Sequence, residues 1–146
     1  GRVTTLAPEG AYLTAHIILK LCEGKDISAI GGPTLGADPM VGAIAAISHI
    51  KKIPLKTFIV RKAVKEHGVR RQIEGPKLQK GDKILLVDDV ATTGKALIEA
   101  KEILAKDGFL CDCALVIVDR GEGAKENLAQ AGLKLESIFT VKDFGL

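Results

Sequence analysis

Tryptophan is absent from this chain, and Phe and Tyr together supply only 3% of its residues. A core must therefore be built from Ile, Leu, Val and Ala, the usual filling of a parallel sheet covered by helices. No apolar run reaches the ~18 residues that a membrane-spanning helix needs. The chain opens on Gly1, Arg2 and Val3, without the basic start and apolar stretch of a secretory leader. Cysteine is scarce too: Cys22, Cys111 and Cys113 make an odd set with no framework spacing. That pattern excludes a disulfide scaffold and suits reduced thiols in a cytoplasmic protein. Cys111 and Cys113 stand two apart on an expected strand, so they are expected to point to one face. With no second pair or histidine cluster nearby, a metal site there is disfavoured.

Apolar residues make up 47% of the 146 and charged residues 27%, which describes one globular domain spanning residues 1–146. The net charge of +3 conceals an asymmetry. Residues 51–83 hold eleven basic side chains against three acids, a local excess of +8 that leaves the remainder at −5. Such a concentration implies an anionic partner, either nucleic acid or a polyphosphate.

Periodicity and breakers place the elements. Pro8 and Glu9 open a helix that runs over 11–22. Strands are predicted at 27–30, 55–60, 83–87, 114–118 and 138–141, and helices at 40–50, 95–106 and 124–131. The strand at 27–30 is expected to end at Gly31-Gly32-Pro33. His16 and His49 fall within helices and carry no partner signal. The alternation predicts an α/β domain with a mostly parallel sheet of five or six strands and helices on both faces. Residues 62–82 fit no regular element. A loop of that length is uncommon in a compact unit unless it is a lid or binding loop, and a strand at 70–74 would turn part of it into an extended hairpin.

The strongest motif is Val87-Asp88-Asp89-Val90-Ala91-Thr92-Thr93-Gly94-Lys95-Ala96. An apolar strand runs into two acids, then a small hydroxyl-rich turn, then a helix. Backbone N–H groups at a helix N-terminus favour a phosphate, Thr92 and Thr93 add donors, and Gly94 lets the backbone approach. Adjacent carboxylates would repel that phosphate but accept strongly from sugar hydroxyls. The loop therefore suits a phosphate with a diol beside it, as in ribose 5-phosphate. It is not a nucleotide-triphosphate P-loop: Asp89 stands where the first glycine is needed, and Ala96 where a hydroxyl should follow the lysine.

These residues resemble the phosphoribosyl pyrophosphate (PRPP) signature of type I phosphoribosyltransferases. Arg61-Lys62-Ala63-Val64-Lys65-Glu66-His67-Gly68 is similar to the catalytic loop of the orotate-specific members, and Asp119-Arg120 also matches them. The resemblance covers nearly the whole chain. It implies transfer of a phosphoribosyl group from PRPP to orotate, giving orotidine 5′-monophosphate and pyrophosphate. Lys65, His67 and Asp89 would be catalytic. PRPP would meet Thr34, Leu35, Gly36, Arg61, Lys62, Lys65, His67, Asp88, Asp89, Val90, Ala91, Thr92, Thr93, Gly94, Lys95 and Ala96. Orotate would meet Thr92 and Arg120.

The family pattern implies Mg²⁺ carried by PRPP rather than by a protein ligand set. It also implies a mobile loop at about 62–82 that serves the neighbouring subunit of a homodimer. Other readings are a PRPP-sensing or RNA-binding module of the same fold without turnover, and a phosphoribosyltransferase for another base. The polyphosphate is favoured over nucleic acid by the motifs. Two departures stand out. The family pattern continues before Gly1 into a hood over the orotate ring, so Gly1-Arg2-Val3-Thr4 is expected to lie within a strand of a shortened chain. Where several relatives place a lysine in the pyrophosphate loop, this chain has Leu35.

Overall fold

The computed structural model describes residues 1–62 and 71–145. In chain order, α1 spans Arg2–Leu6, α2 Pro8–Cys22, β1 Ala29–Pro33, α3 Asp38–Ile50, β2 Lys56–Val60 and β3 Ile73–Glu74. They are followed by β4 at Ile84–Ala91, α4 at Lys95–Lys106, β5 at Cys111–Asp119, α5 at Ala124–Gln130, β6 at Lys134–Thr140 and a closing 3₁₀ turn at Val141–Phe144. The six strands form one sheet in the order β3-β2-β1-β4-β5-β6. Every neighbouring pair is parallel except β2 with β3. This is the predicted α/β architecture.

Alternation along β4 explains the two layers. Ile84 and Leu86 face a core with Leu97, Ala100 and Leu104 of α4 and Leu128 of α5. Leu85 and Val87 face the opposite core, with Ile18 of α2 and Met40 and Ile44 of α3. A strand buried on both faces has to be apolar throughout, and Ile84-Leu85-Leu86-Val87 satisfies this. No described helix is long and apolar enough to cross a membrane.

Several expectations need correcting. Strand β1 does not stop before the glycines. Gly31, Gly32 and Pro33 belong to it and all are buried. A Cβ on Gly31 would run into the Phe58 ring and carbonyl, and one on Gly32 into the Val87 carbonyl, so these glycines permit close approach rather than marking a turn. The diacid lies inside β4, which runs on to Ala91. Residues 2–6 are helical, not a strand: the Ala7 N–H donates to the Val3 carbonyl at 3.1 Å, and α1 packs against α2.

Cys111 and Cys113 do not share a face. Ile84 pairs with Cys111 and the next residue, Leu85, with Cys113, so Asp112 is the extra residue of a bulge. Cys111 consequently joins the α4–α5 core and Cys113 packs against the α2–α3 core. Within the segment read as a loop, the Ile73–Glu74 strand pairs antiparallel with Ile59 and Val60, and Leu78 is buried. Asp82 then closes the segment with an ion pair to Lys56 at 2.9 Å and a hydrogen bond from Ser28 at 2.9 Å.

Candidate active site

Strands β1 and β4 are neighbours, yet their continuations part: β1 leads through α3 to β2 on one side, and β4 through α4 to β5 on the other. A crevice opens at the carboxyl ends of two such strands. The two candidate phosphate loops border it. One is Thr34-Leu35-Gly36 before α3, in which the Thr34–Leu35 peptide is cis. The other is Thr92-Thr93-Gly94 before α4, whose Gly94 has a φ of 86° that a non-glycine residue would rarely adopt. A Cβ on Gly36 would sit 2.5 Å from Asp88 Oδ1 and 2.6 Å from Asp89 Oδ1, so the first loop lies directly on the diacid.

Asp88 is only 7% exposed. Its Oδ1 accepts the Asp89 N–H at 2.8 Å, and Asp89 Oδ1 accepts the Val90 N–H at 2.8 Å. Burial pushes the Asp88 carboxyl up to about 7, with the Asp89 carboxylate adding to the rise and Lys62 opposing it. Thr34 Oγ1 and Asp38 Oδ1, at the start of α3, are buried without a partner among the described residues. Unpaired buried polar atoms are rare and concentrate where function requires them.

Thr34, Leu35, Gly36, Lys62, Asp88, Asp89 and Ala96 line one cleft of about 290 Å³, together with Arg2. An adjoining cleft of about 200 Å³ is lined by Lys62, Asp88, Val90, Ala91, Thr92, Thr93, Gly94, Lys95 and Ala96. Most of the residues picked out in the sequence therefore meet. Two do not line either cleft. The Arg61 guanidinium is turned to Glu74 at 3.0 Å, and Arg120, whose N–H donates to the Ala91 carbonyl at 3.0 Å, faces Glu122 at 3.8 Å. Lys65 and His67 lie outside the described residues.

The structure adds residues that the motifs did not signal. Glu99 of α4 stands 3.8 Å from both Lys62 and Lys95, joining two cations at the rim. Asn127 of α5 donates to the Thr93 carbonyl at 2.8 Å, and Leu128 fills the space where a Cβ on Gly94 would go. The Thr92-Thr93-Gly94 turn is thus braced from a helix some thirty residues on. No spacing in the sequence announces that brace. A larger hollow of about 590 Å³, between β3 and the end of α4, holds none of these residues.

Comparison with known proteins gives this geometry a context. Residues 7–146 match the phosphoribosyl transferase domain family. The orotate phosphoribosyltransferase of Nostoc sp. (strain PCC 7120) is 39% identical over 143 residues, covering 98% of this chain and 69% of that protein. The enzyme of the same name from Aquifex aeolicus is 39% identical over 139 residues, covering 95% and 75%. The crystal structure of Mycobacterium tuberculosis orotate phosphoribosyltransferase in complex with PRPP superposes with a TM-score of 0.83 at 33% identity, covering 99% of this chain and 81% of that one. An adenine phosphoribosyltransferase from Thermoanaerobacter pseudethanolicus, at 14% identity and a TM-score of 0.71, shares the fold alone.

Proposed function

Because the chain belongs to the orotate phosphoribosyltransferase family, we propose that it transfers the phosphoribosyl group of PRPP to orotate, releasing pyrophosphate and forming orotidine 5′-monophosphate. The observation that carries this reading is the meeting of the Thr34-Leu35-Gly36 loop, the diacid and the Thr92-Thr93-Gly94 turn at the switch point of the sheet. The turn and the first N–H groups of α4 receive the 5′-phosphate, with Lys95 at its side. Asp88 and Asp89 accept from the ribose hydroxyls. Asp89 is the carboxylate best placed to stabilise positive charge growing on the sugar, because Asp88 is the more deeply buried of the two. The first loop receives the pyrophosphate, whose backbone contacts Gly36 leaves open.

Arg61, Lys62, Lys65 and His67 neutralise the leaving group as the bond from sugar carbon to pyrophosphate oxygen breaks. Orotate meets Thr92 and Arg120, the guanidinium forking onto the carboxylate once it leaves Glu122. Mg²⁺ would arrive on PRPP rather than on a protein ligand set, since it takes oxygen ligands and readily keeps those of substrate phosphates, and no group of metal-ligating side chains stands among the described residues. When bound it supplies charge neutralisation on the pyrophosphate. A cytoplasmic setting suits three cysteines that are all free thiols.

The direct test is the formation of nucleotide from PRPP with orotate, uracil, adenine and hypoxanthine in turn. Turnover with orotate alone is expected, and turnover with a purine but not orotate would overturn the assignment. We further propose that Arg61 and Lys65 of the catalytic loop serve the neighbouring site of a homodimer, while Lys62 borders the cleft of its own subunit. Lys65→Ala and Asp89→Asn subunits, each inactive alone, are then expected to regain activity on mixing. If hybrid dimers form and stay inactive, Lys65 acts within its own subunit.

A further inference from the structure

The pyrophosphate of PRPP carries several negative charges and, on the reading above, lies beside two carboxylates, so cations have to line the same cleft. The loop after β1 brings none, since its exposed tip is Leu35. Among the described residues lining the 290 Å³ cleft only Lys62 and Arg2 are basic. Lys62 is shared with Glu99. Arg2 forms no ion pair among the described residues, although Asp88 and Asp89 border the same space.

Arg2 is held there by packing. Helix α1 is docked on α2: Gly10 lies against the Thr4 carbonyl so closely that no side chain fits between them. Thr5, 1% exposed, turns its hydroxyl back to the Gly1 and Arg2 carbonyls at 3.4 and 3.3 Å. The Ala11 N–H donates to the Ala7 carbonyl at 2.8 Å, fixing the joint between the two helices. Arg2 is the first residue of α1 and is delivered to the mouth of the cleft by this arrangement.

We propose that Arg2 is a pyrophosphate-binding residue, supplying from the first helix the cation that the Thr34-Leu35-Gly36 loop lacks. The assignment rests on the reading of the cleft as the PRPP site. A planar guanidinium makes two parallel hydrogen bonds to a phosphate and stays charged at any working pH. The 5′-phosphate binds at the other cleft, lined by Thr92, Thr93 and Lys95, which Arg2 does not border. Arg2 therefore acts on one half of PRPP only.

Titration calorimetry at fixed Mg²⁺ concentration, with inorganic pyrophosphate and ribose 5-phosphate as separate ligands, tests this. Arg2→Ala is expected to bind pyrophosphate about tenfold more weakly, the loss of one charged contact, and ribose 5-phosphate within about twofold of wild type. Arg2→Lys is expected to recover part of the loss, as a point charge without the fork. Pyrophosphate affinity unchanged in Arg2→Ala, or an equal loss for both ligands, overturns the role of Arg2 while leaving the functional reading intact. A wild-type protein that binds neither ligand overturns the functional reading and the role of Arg2 with it.

Discussion

Asp88→Asn is expected to raise the stability of the protein at pH 8 and, at the same pH, to weaken its hold on PRPP by about 1–3 kcal/mol, the scale of a hydrogen bond to a charged group. The opposite signs follow from one fact: the Asp88 carboxyl titrates at about 7 because it is buried, with Asp89 alongside. The unfolded chain releases that proton near the ordinary carboxylate value. Between the two values the folded state binds more protons than the unfolded state, so stability falls as pH rises through this window, and above it a buried charge is carried at full cost. Each tenfold difference in proton affinity is worth about 1.4 kcal/mol. Asparagine keeps the acceptor for the Asp89 N–H and removes the titration. Melting curves should show a gain at pH 8 that shrinks towards pH 5, and calorimetry at pH 8 should show the weaker PRPP binding. Equal gains at both pH values would mean that Asp88 titrates as an ordinary carboxyl. Unchanged PRPP affinity would remove the diacid from the ribose site.

Gly32→Ala should cost about 3 kcal/mol, the upper end of overpacking penalties. The methyl group would meet the Val87 carbonyl, which is backbone and cannot swing aside, and would also come within 2.8 Å of the Ala37 Cβ. The strands can accommodate it only by separating where β1 passes β4, which also carries the first loop away from the diacid. The urea midpoint should fall with an unchanged slope, and PRPP binding should weaken with it. Gly42→Ala is the control: it lies in α3, on an exposed face with nothing within 4 Å of the added carbon, and should be stabilising by about 0.5–1 kcal/mol. An unchanged midpoint in Gly32→Ala would show that β1 yields locally without disturbing β4.

The sheet was legible because Ile84-Leu85-Leu86-Val87 has to be apolar on both faces and because α4 has an amphipathic stripe bounded by Gly94 and Gly108. The site was legible because a diacid followed by a hydroxyl-rich turn has few other chemical uses. What failed did so for identifiable reasons. Gly31-Gly32-Pro33 reads locally as a strand end, while the real constraint is the approach of Phe58 and Val87, distant in sequence. Strand β6 starts at Lys134 rather than at Ile138, because at the sheet edge Leu135 is the one fully buried residue and the apolar pattern around Ile138 and Val141 is the stronger sequence signal. The bulge at Asp112 inverts one of two cysteines, and nothing in Cys111-Asp112-Cys113 signals a broken alternation. Arg2, Glu99 and Asn127 act through tertiary placement alone, and none of them stands at a diagnostic spacing from the motif.

The seam between β1 and β4 is also the parallel pairing that spans the most chain. The strand pairs on either side of it, β1 with β2 and β4 with β5, are each joined through a single helix and close over short stretches of chain. The pairing of Ala29 with Ile84 bridges a much longer one. A doubled loop costs about 0.6 kcal/mol more to close, a modest bias towards pairing within each half before pairing across the seam. The Thr34-Leu35-Gly36 loop and the Thr92-Thr93-Gly94 turn belong to different halves, and the cleft between them exists only once the halves have met. A ligand held by both loops would act as a clasp across this seam, favouring the joined halves over any form in which they have parted.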